Sequence, residues 1–168
     1  MSSLNTGKPE MIEWIKGHFQ KGETCLDVGA CDGKWSDLLG GYLTIDAIEI
    51  FAPNIHKHKL TDKYRTVYCG DIRGFKYGQE YDLIIFGDVI EHMNAEKAQQ
   101  VLEYARTRCT DMIIAVPYLY QQGEIYGNPW EIHIQDDLTP QVFAERYPVY
   151  DPLITTPYNY CYYHKRKG

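Results

Sequence analysis

The segment from Thr24 to Trp35 constrains the fold more strongly than any other part of the chain. Its first part, Cys25–Val28, is short, mostly apolar and bounded by turn-forming residues, a pattern typical of a buried β-strand. Gly29 and Gly33 then enclose a tight loop, after which a helix can begin. Because glycine lets the backbone approach a ligand and a helix N-terminus offers free N–H groups, this strand–loop–helix unit predicts a nucleotide-type site.

The positions of the glycines indicate which ligand fits such a site. A dinucleotide fingerprint, G-x-G-x-x-G, needs glycines at positions 29, 31 and 34, where the chain has Gly29, Cys31 and Lys34. The dinucleotide interpretation therefore fails at two positions. The segment instead resembles the first motif of class I S-adenosylmethionine-dependent methyltransferases, acidic-x-G-x-G-x-G. Asp27, Gly29 and Gly33 match this motif, and Cys31 departs from it at the middle glycine.

The rest of the sequence alternates strand-like and helix-like segments and closes with two strand-like segments. We predict strands over residues 25–28, 42–50, 66–69, 82–86, 111–116, 149–155 and 158–165. Together with the resemblance, this series predicts an α/β fold, a Rossmann-like doubly wound, mostly parallel seven-stranded sheet with an antiparallel C-terminal hairpin. At 168 residues the chain is expected to form a single domain over 1–168, with residues 1–20 as an N-terminal leader and short helix.

Acidic residues lie near the ends of several predicted parallel strands, where ligands of such sheets bind. Glu49 comes 22 positions after Asp27, close to the roughly 20 residues at which a Rossmann-like unit places an acid for the ribose hydroxyls. Asp46 is the competing acid, but strand alternation puts it on the opposite face from Glu49. Asp71 and Asp88 follow two further strands, so four acids are expected at one crevice.

The resemblance implies S-adenosylmethionine as the cofactor and assigns these acids to it. In the family, an acid after the third strand meets the adenine amino group and the next apolar residue stacks on the ring. Asp71 and Ile72 match those roles, although a plain Gly-Asp turn is the alternative for this pair. The cofactor-binding residues predicted in this way are Asp27, Gly29, Ala30, Gly33, Glu49, Ile50, Asp71, Ile72 and Asp88.

Two histidines are the candidates for removing a proton from the methyl acceptor. The segment 88–92 resembles one that many small-molecule O-methyltransferases carry on the substrate side, where His92 could take a proton from a hydroxyl or amine. His133 lies in the long loop 117–137, in a segment similar to one whose histidine reaches over the active site in the family. The alternatives are a capping role for His92 and a surface position for His133. We assign His92, His133 and Glu91 as the candidate catalytic residues.

A divalent metal is the alternative use of the same residues. Two carboxylates and two imidazoles form a reasonable mixed ligand set, and such a set could be built from Asp88, Glu91, His92 and His133. Small-RNA 2′-O-methyltransferases have a similar acid-x-x-Glu-His pattern with a distant histidine. The same spacing also occurs in relatives that bind no metal, so the sequence favours a histidine base and no metal.

Composition narrows the range of partners. The net charge of −6 and the pI near 5.5 disfavour a general nucleic-acid binder, which would need a basic face. Five cysteines without a C-x-x-C pair predict reduced thiols in the cytosol. No apolar run approaches the length of a membrane span. The Asn/Asp-Pro-Pro-Tyr motif of amino-methylating DNA enzymes is also missing, so base N-methylation is not expected.

These observations lead to one functional hypothesis and two alternatives. We expect a cytoplasmic S-adenosylmethionine-dependent methyltransferase acting on a hydroxyl, amine or carboxyl group of a small soluble acceptor, without a membrane partner and without nucleic acid. The first alternative is a protein that binds S-adenosylmethionine without catalysis. The second is a metal-dependent RNA 2′-O-methyltransferase.

Overall fold

The structure is a computed structural model that describes residues 5–165. The first four residues of the predicted N-terminal leader and the last three residues of the chain lie outside the described residues. The strands are β1 Thr24–Val28, β2 Thr44–Glu49, β3 Val67–Cys69, β4 Tyr81–Gly87, β5 Cys109–Pro117, β6 Tyr150–Thr156 and β7 Tyr160–Lys165. The α-helices are α1 Lys8–His18, α2 Lys34–Leu39, α3 Ala52–Lys57, α4 Leu60–Lys63, α5 Ala95–Arg106 and α6 Pro140–Arg146.

All seven strands form one sheet in the order β3-β2-β1-β4-β5-β7-β6. The strands β1 to β5 pair in parallel, and β7 is antiparallel to both β5 and β6. This arrangement confirms the predicted doubly wound, mostly parallel sheet with an antiparallel C-terminal hairpin. Within the described residues, no helix is long and apolar enough to cross a membrane.

The central strands are buried on both faces, as expected for parallel strands covered by helices. Successive residues of β4 alternate between two apolar clusters, one on each side of the sheet. Ile84 and Phe86 pack on the side of α5, whereas Leu83 and Ile85 pack on the side of α1. Each of these four side chains is fully buried. A shift of the strand by one residue would exchange the two faces, so this burial fixes the register of β4 against its neighbours.

Local hydrogen bonds explain how the helices begin and where the predicted boundaries were wrong. Asn94 accepts a hydrogen bond from the Lys97 N–H (2.8 Å) and caps α5. β2 begins at Thr44 rather than at residue 42, because the N–H groups of Tyr42 and Leu43 still donate to the Leu39 carbonyl. The sequence did not predict α4, a helix of only four residues, because such a segment has too few positions for a helical repeat.

The order of the strands creates a crevice at one edge of the sheet. From β1 the chain continues to β2 on one side, and it later returns to β4 on the other side of β1. At such a switch point the connections leave in opposite directions, which opens a space beyond the carboxyl ends of the strands. The loops after Val28, Glu49 and Gly87 all meet at this edge.

Asp27 and Asp46 are buried acids whose carboxylates bind hydrogen-bond donors of the protein. The Asp27 side chain is fully buried and accepts a hydrogen bond from the Tyr64 hydroxyl (2.5 Å). Burial raises its pKa to about 7. Asp46 accepts two hydrogen bonds from Arg65 (2.8 and 2.6 Å) and one from the Tyr81 hydroxyl (2.9 Å). Among the four acids expected at one crevice, Asp27 is fully buried, bonds to Tyr64 and does not line the crevice.

Replacing Asp27 by Asn should stabilise the protein in a pH-dependent way. The pKa of Asp27 is raised from 3.8 to about 7, so the folded state binds more protons than the unfolded state between these values, and stability falls as pH rises through this range. Asn keeps an acceptor for Tyr64 and cannot ionise. We expect the gain in free energy of unfolding to grow from near zero at pH 4 to on the order of 2–4 kcal/mol at pH 8. Urea unfolding of the wild-type protein and of Asp27→Asn across this pH range measures the difference in free energy of unfolding. A difference that does not change with pH would contradict the raised pKa of Asp27.

Candidate functional site

A cleft of about 960 Å³, measured out to its open mouth, occupies the edge of the sheet where β1, β2 and β4 end. Its walls come from five segments of the chain: the loop after β1, the end of β2, the turn after β3, the segment after β4 and part of the long loop after β5. Residues distant in sequence thus face one space.

The loop after β1 forms the floor of the cleft. Gly29 has φ 73°, and a Cβ added there would lie 2.8 Å from the Val89 side chain, so only glycine fits this close approach. Cys31, which stands in place of a glycine, also adopts a left-handed conformation with φ 48°. Its thiol lines the cleft, and burial raises the pKa of that thiol to about 12. The cysteine therefore provides the required backbone turn as a neutral thiol.

Glu49 ties this loop to the end of β2. One oxygen of its buried carboxylate accepts a hydrogen bond from the Cys31 N–H (2.7 Å), and the other accepts one from the Phe51 N–H (2.8 Å). Burial raises the pKa of Glu49, while these two N–H groups oppose that change. A carboxylate has about four acceptor sites, so Glu49, which lines the cleft, retains capacity for ligand hydroxyls.

The turn after β3 contributes an ion pair to the wall. The Asp71 carboxylate accepts hydrogen bonds from the backbone N–H and the guanidinium of Arg73. Burial would raise the pKa of Asp71, but these hydrogen bonds outweigh it and hold the pKa below its usual value. Ile72 lines the cleft between them. The guanidinium of Arg73 also lies 5.1 Å from the centre of the Trp130 ring, which belongs to the loop after β5.

The segment after β4 carries a strained acid. Asp88 lines the cleft and adopts φ 57°, a left-handed conformation that side chains other than glycine rarely adopt. One of its carboxylate oxygens is buried without a hydrogen-bond partner among the described residues. Burial raises its pKa to about 6. Strain and an unpartnered buried acid commonly occur together at ligand sites.

Glu91, His92 and His133 form a cluster beside this acid. The rings of the two histidines lie 4.7 Å apart, and one ligand atom from each of the three residues lies within 4.8 Å of the others. Burial lowers the pKa of His92 to about 4 and lowers that of His133, so both rings are neutral near pH 7. Burial raises the pKa of Glu91 well above its usual value.

Main-chain hydrogen bonds hold the long loop against this cluster. The N–H groups of Ile134 and Gln135 donate to the Glu91 carbonyl at 2.8 and 2.9 Å. The Gln135 side chain donates to the Ile90 carbonyl (2.8 Å), and the His133 N–H donates to the Gln122 carbonyl (3.0 Å). These hydrogen bonds hold the long loop against the segment after β4 and bring His133 into the cluster with Glu91 and His92.

The predicted site residues divide into two groups. Those that line the cleft are Gly29, Ala30, Glu49, Ile50, Asp71, Ile72, Asp88 and His92. Four others lie behind its walls: Asp27 under the sheet, Gly33 at the start of α2, and Glu91 and His133 in the cluster with His92. The sequence analysis missed Asn54, Arg73 and Met93, which also line the cleft. Of these three residues, only Arg73 could have been found from the sequence, because it follows Asp71 by two positions, a spacing that suits an ion pair across a turn.

Comparisons with known proteins were made by sequence and by structure. No family model matches the sequence, and no curated protein matches it either.

Several solved structures are similar over nearly the whole chain. An S-adenosylmethionine-dependent methyltransferase from Clostridium acetobutylicum ATCC 824 has a TM-score of 0.71 at 10% identity, covering 95% of this chain and 90% of that chain. The complex of DhpI with S-adenosylhomocysteine has a TM-score of 0.76 at 15% identity, covering 98% and 85%. The N-methyltransferase NodS from Bradyrhizobium japonicum WM9 has a TM-score of 0.64 at 10% identity, covering 97% and 98%. The chain therefore has the fold of class I S-adenosylmethionine-dependent methyltransferases.

Proposed function

We propose that this protein is an S-adenosylmethionine-dependent methyltransferase that acts on a hydroxyl, amine or carboxyl group of a small soluble acceptor. The observation that carries the proposal is the single cleft at the switch point, which has the glycine loop and Glu49 on one side and His92 on the other. One similar structure was solved with S-adenosylhomocysteine bound, which supports this choice of cofactor. The acidic net charge of −6 supports a small acceptor over RNA.

The cofactor is proposed to lie along the ends of the strands. The adenine would lie against Ile72 with its amino group near Asp71, and the ribose hydroxyls would bind Glu49. The methionine end would follow the glycine loop toward Asp88. Ala30 and Ile50 would complete the wall, while Asp27 and Gly33 would act by holding the loop in place.

The proposed reaction transfers the methyl group in one displacement. A lone pair of the acceptor attacks the methyl carbon of the sulfonium, the carbon–sulfur bond breaks, and its electron pair returns to sulfur to give S-adenosylhomocysteine. A hydroxyl or amine acceptor loses one proton, which the neutral ring of His92 is placed to accept, with His133 and Glu91 positioning that ring, whereas a carboxylate acceptor attacks without losing a proton. The sulfonium is already reactive, so the protein contributes mainly alignment and the exclusion of water.

We also propose a cytoplasmic location and an enzymatic role rather than cofactor binding alone. All five cysteines are unpaired, which suits a reducing compartment. A half-buried histidine pair lies beside the cleft and is assigned no contact with the cofactor, which favours catalysis over the binding-only alternative.

Glu49 should determine the affinity for the cofactor. Glu49→Ala removes the acceptor of two N–H groups and of the ribose diol, and we expect S-adenosylhomocysteine to bind about 1.5–3 kcal/mol more weakly, the range for hydrogen bonds to a charged group. Calorimetry measures this change, with the exposed Glu96→Ala as the matched control. The wild-type protein should not bind NAD. Binding of NAD in place of S-adenosylhomocysteine would overturn the proposed function.

His92 should affect turnover without affecting the cofactor. Since general-base catalysis contributes typically 10²–10⁴-fold, His92→Ala should lower kcat by about 10²-fold or more. The affinity for S-adenosylhomocysteine should stay within about twofold of wild type, because the ring has no assigned contact with the cofactor. The measurement is S-adenosylhomocysteine release with a panel of small hydroxyl, amine and carboxyl acceptors. The exposed His56→Ala is the control, and unchanged turnover in His92→Ala would exclude the assigned role.

A further inference from the structure

We propose that Glu131 selects an amine as the methyl acceptor, because its carboxylate stabilises the positive charge that moves from the sulfonium to the acceptor nitrogen. This inference rests on the proposed methyl transfer and deepens it, since it chooses among the hydroxyl, amine and carboxyl acceptors. The sequence analysis assigned no role to Glu131. Its contacts, the position of its charge and a buried acid beside it carry the argument.

Hydrogen bonds hold the Glu131 side chain at the wall of the cleft. The residue belongs to the long loop and lines the cleft together with Asn128 and Trp130. Its Oε1 accepts a hydrogen bond from the Asn128 side chain, and its Oε2 accepts one from the Gln122 side chain, both at 3.3 Å. The Gln122 side chain also donates to the Glu131 carbonyl (2.7 Å). The carboxylate is therefore oriented by its own loop.

The charge of Glu131 acts on groups of both walls of the cleft. Burial is the main cause of the raised pKa values of Cys31 and Glu49, and the Glu131 charge adds to it in both. On the other wall, burial lowers the pKa values of His92 and His133, and the same charge opposes this change. Because such effects decline with distance, the Glu131 carboxylate lies within range of both walls. The methyl group would pass between these walls.

Glu91 is a buried acid on the same side of the cleft as His92. It is 1% exposed, and neither of its carboxylate oxygens has a hydrogen-bond partner within residues 5–165. One of these oxygens lies within 4.8 Å of a ring nitrogen of His92, which lines the cleft. Burial raises the pKa of Glu91 well above its usual value, and the charges of Asp88 and Glu131 raise it further. A positive charge at the acceptor position would offset this repulsion between acids.

The balance of charge in the cleft also favours a cationic ligand. Among the described residues that line it, five are acidic and two, Lys34 and Arg73, are basic. Arg73 is already paired with Asp71. The ring of Trp130 lies 5.1 Å from the Arg73 guanidinium, so this aromatic side chain already attracts one cation. Such a wall repels a carboxylate and attracts a positive group.

Methylation of an amine keeps a positive charge in the cleft throughout the transfer. The nitrogen lone pair attacks the methyl carbon, the carbon–sulfur bond breaks and its electron pair returns to sulfur, so the charge moves from sulfur to nitrogen. The ammonium formed from a primary or secondary amine then releases one proton, which His92 is placed to accept. A fixed carboxylate near the developing charge lowers the barrier. An alcohol ends as a neutral ether and a carboxylate as a neutral ester, so neither product keeps the charge.

Turnover of matched acceptors tests this inference. Benzylamine, benzyl alcohol and benzoate share one carbon skeleton, as do hexylamine, hexanol and hexanoate. We expect kcat/KM for the amines to exceed that for the other acceptors by about 10-fold or more, and Glu131→Gln to remove most of this preference. The affinity for S-adenosylhomocysteine should stay within about twofold of wild type. Glu124→Gln removes an exposed acid of the same loop and is the matched control, with the preference of wild type.

A binding measurement tests the same preference without turnover. Calorimetry on protein saturated with S-adenosylhomocysteine should show that benzylammonium binds more tightly than benzoate, and that Glu131→Gln loses this difference. No preference for benzylammonium, or a variant that weakens turnover of amines and alcohols equally, would overturn the inference. Methylation of the alcohols or carboxylates ahead of the amines would also overturn it, while leaving the proposed function intact. Failure to bind S-adenosylhomocysteine would instead contradict the proposed function itself.

Discussion

The hydrogen bonds of Glu49 are the interaction on which the rest of the candidate site depends. The buried carboxylate accepts one hydrogen bond from the Cys31 N–H, in the loop after β1, and one from the Phe51 N–H, just before α3. The two loops that would enclose a ribose are thereby held at a fixed separation. Because the carboxylate lies in the wall of the cleft, the group that positions the loops is also the group that would contact the ligand. Glu49 would therefore both hold the two loops in position and contact the ligand.

The edge of the sheet also concentrates buried acids. Asp27, Glu49, Asp88 and Glu91 are all withdrawn from water, and burial raises the pKa of each. Such an arrangement costs folding free energy unless hydrogen bonds or cations compensate it. Asp27 and Glu49 have protein donors, whereas Asp88 and Glu91 each have buried oxygens without them. Both of these acids lie in the segment after β4, so the oxygens without a protein donor are concentrated beside the cleft.

The sequence predicted the fold and most of the residues that line the cleft at the ends of β1, β2 and β3, because their signals are local. One segment of twelve residues contains a strand, two glycines and the start of a helix. The alternation in β2 also separated Glu49, which lines the cleft, from Asp46, which binds Arg65. The sequence could not show whether Asp27 reaches the cleft, because a position near a strand end does not say what its side chain contacts. Its carboxylate bonds to Tyr64, which follows the unpredicted helix α4.

The part of the cleft formed by the segment after β4 and the long loop could be predicted only in part, because it depends on contacts between distant segments. His133 comes close to Glu91 through hydrogen bonds from the main chain of residues 134 and 135, and no side-chain pattern encodes such bonds. This form of attachment has a consequence for function. A loop held by its backbone keeps its position when its side chains change, so the residues that it presents to the cleft, such as Trp130, can be adapted to an acceptor without loss of the fold. The cofactor side lacks this freedom, because Gly29 and Glu49 are fixed by the close approach and the hydrogen bonds that build the sheet edge.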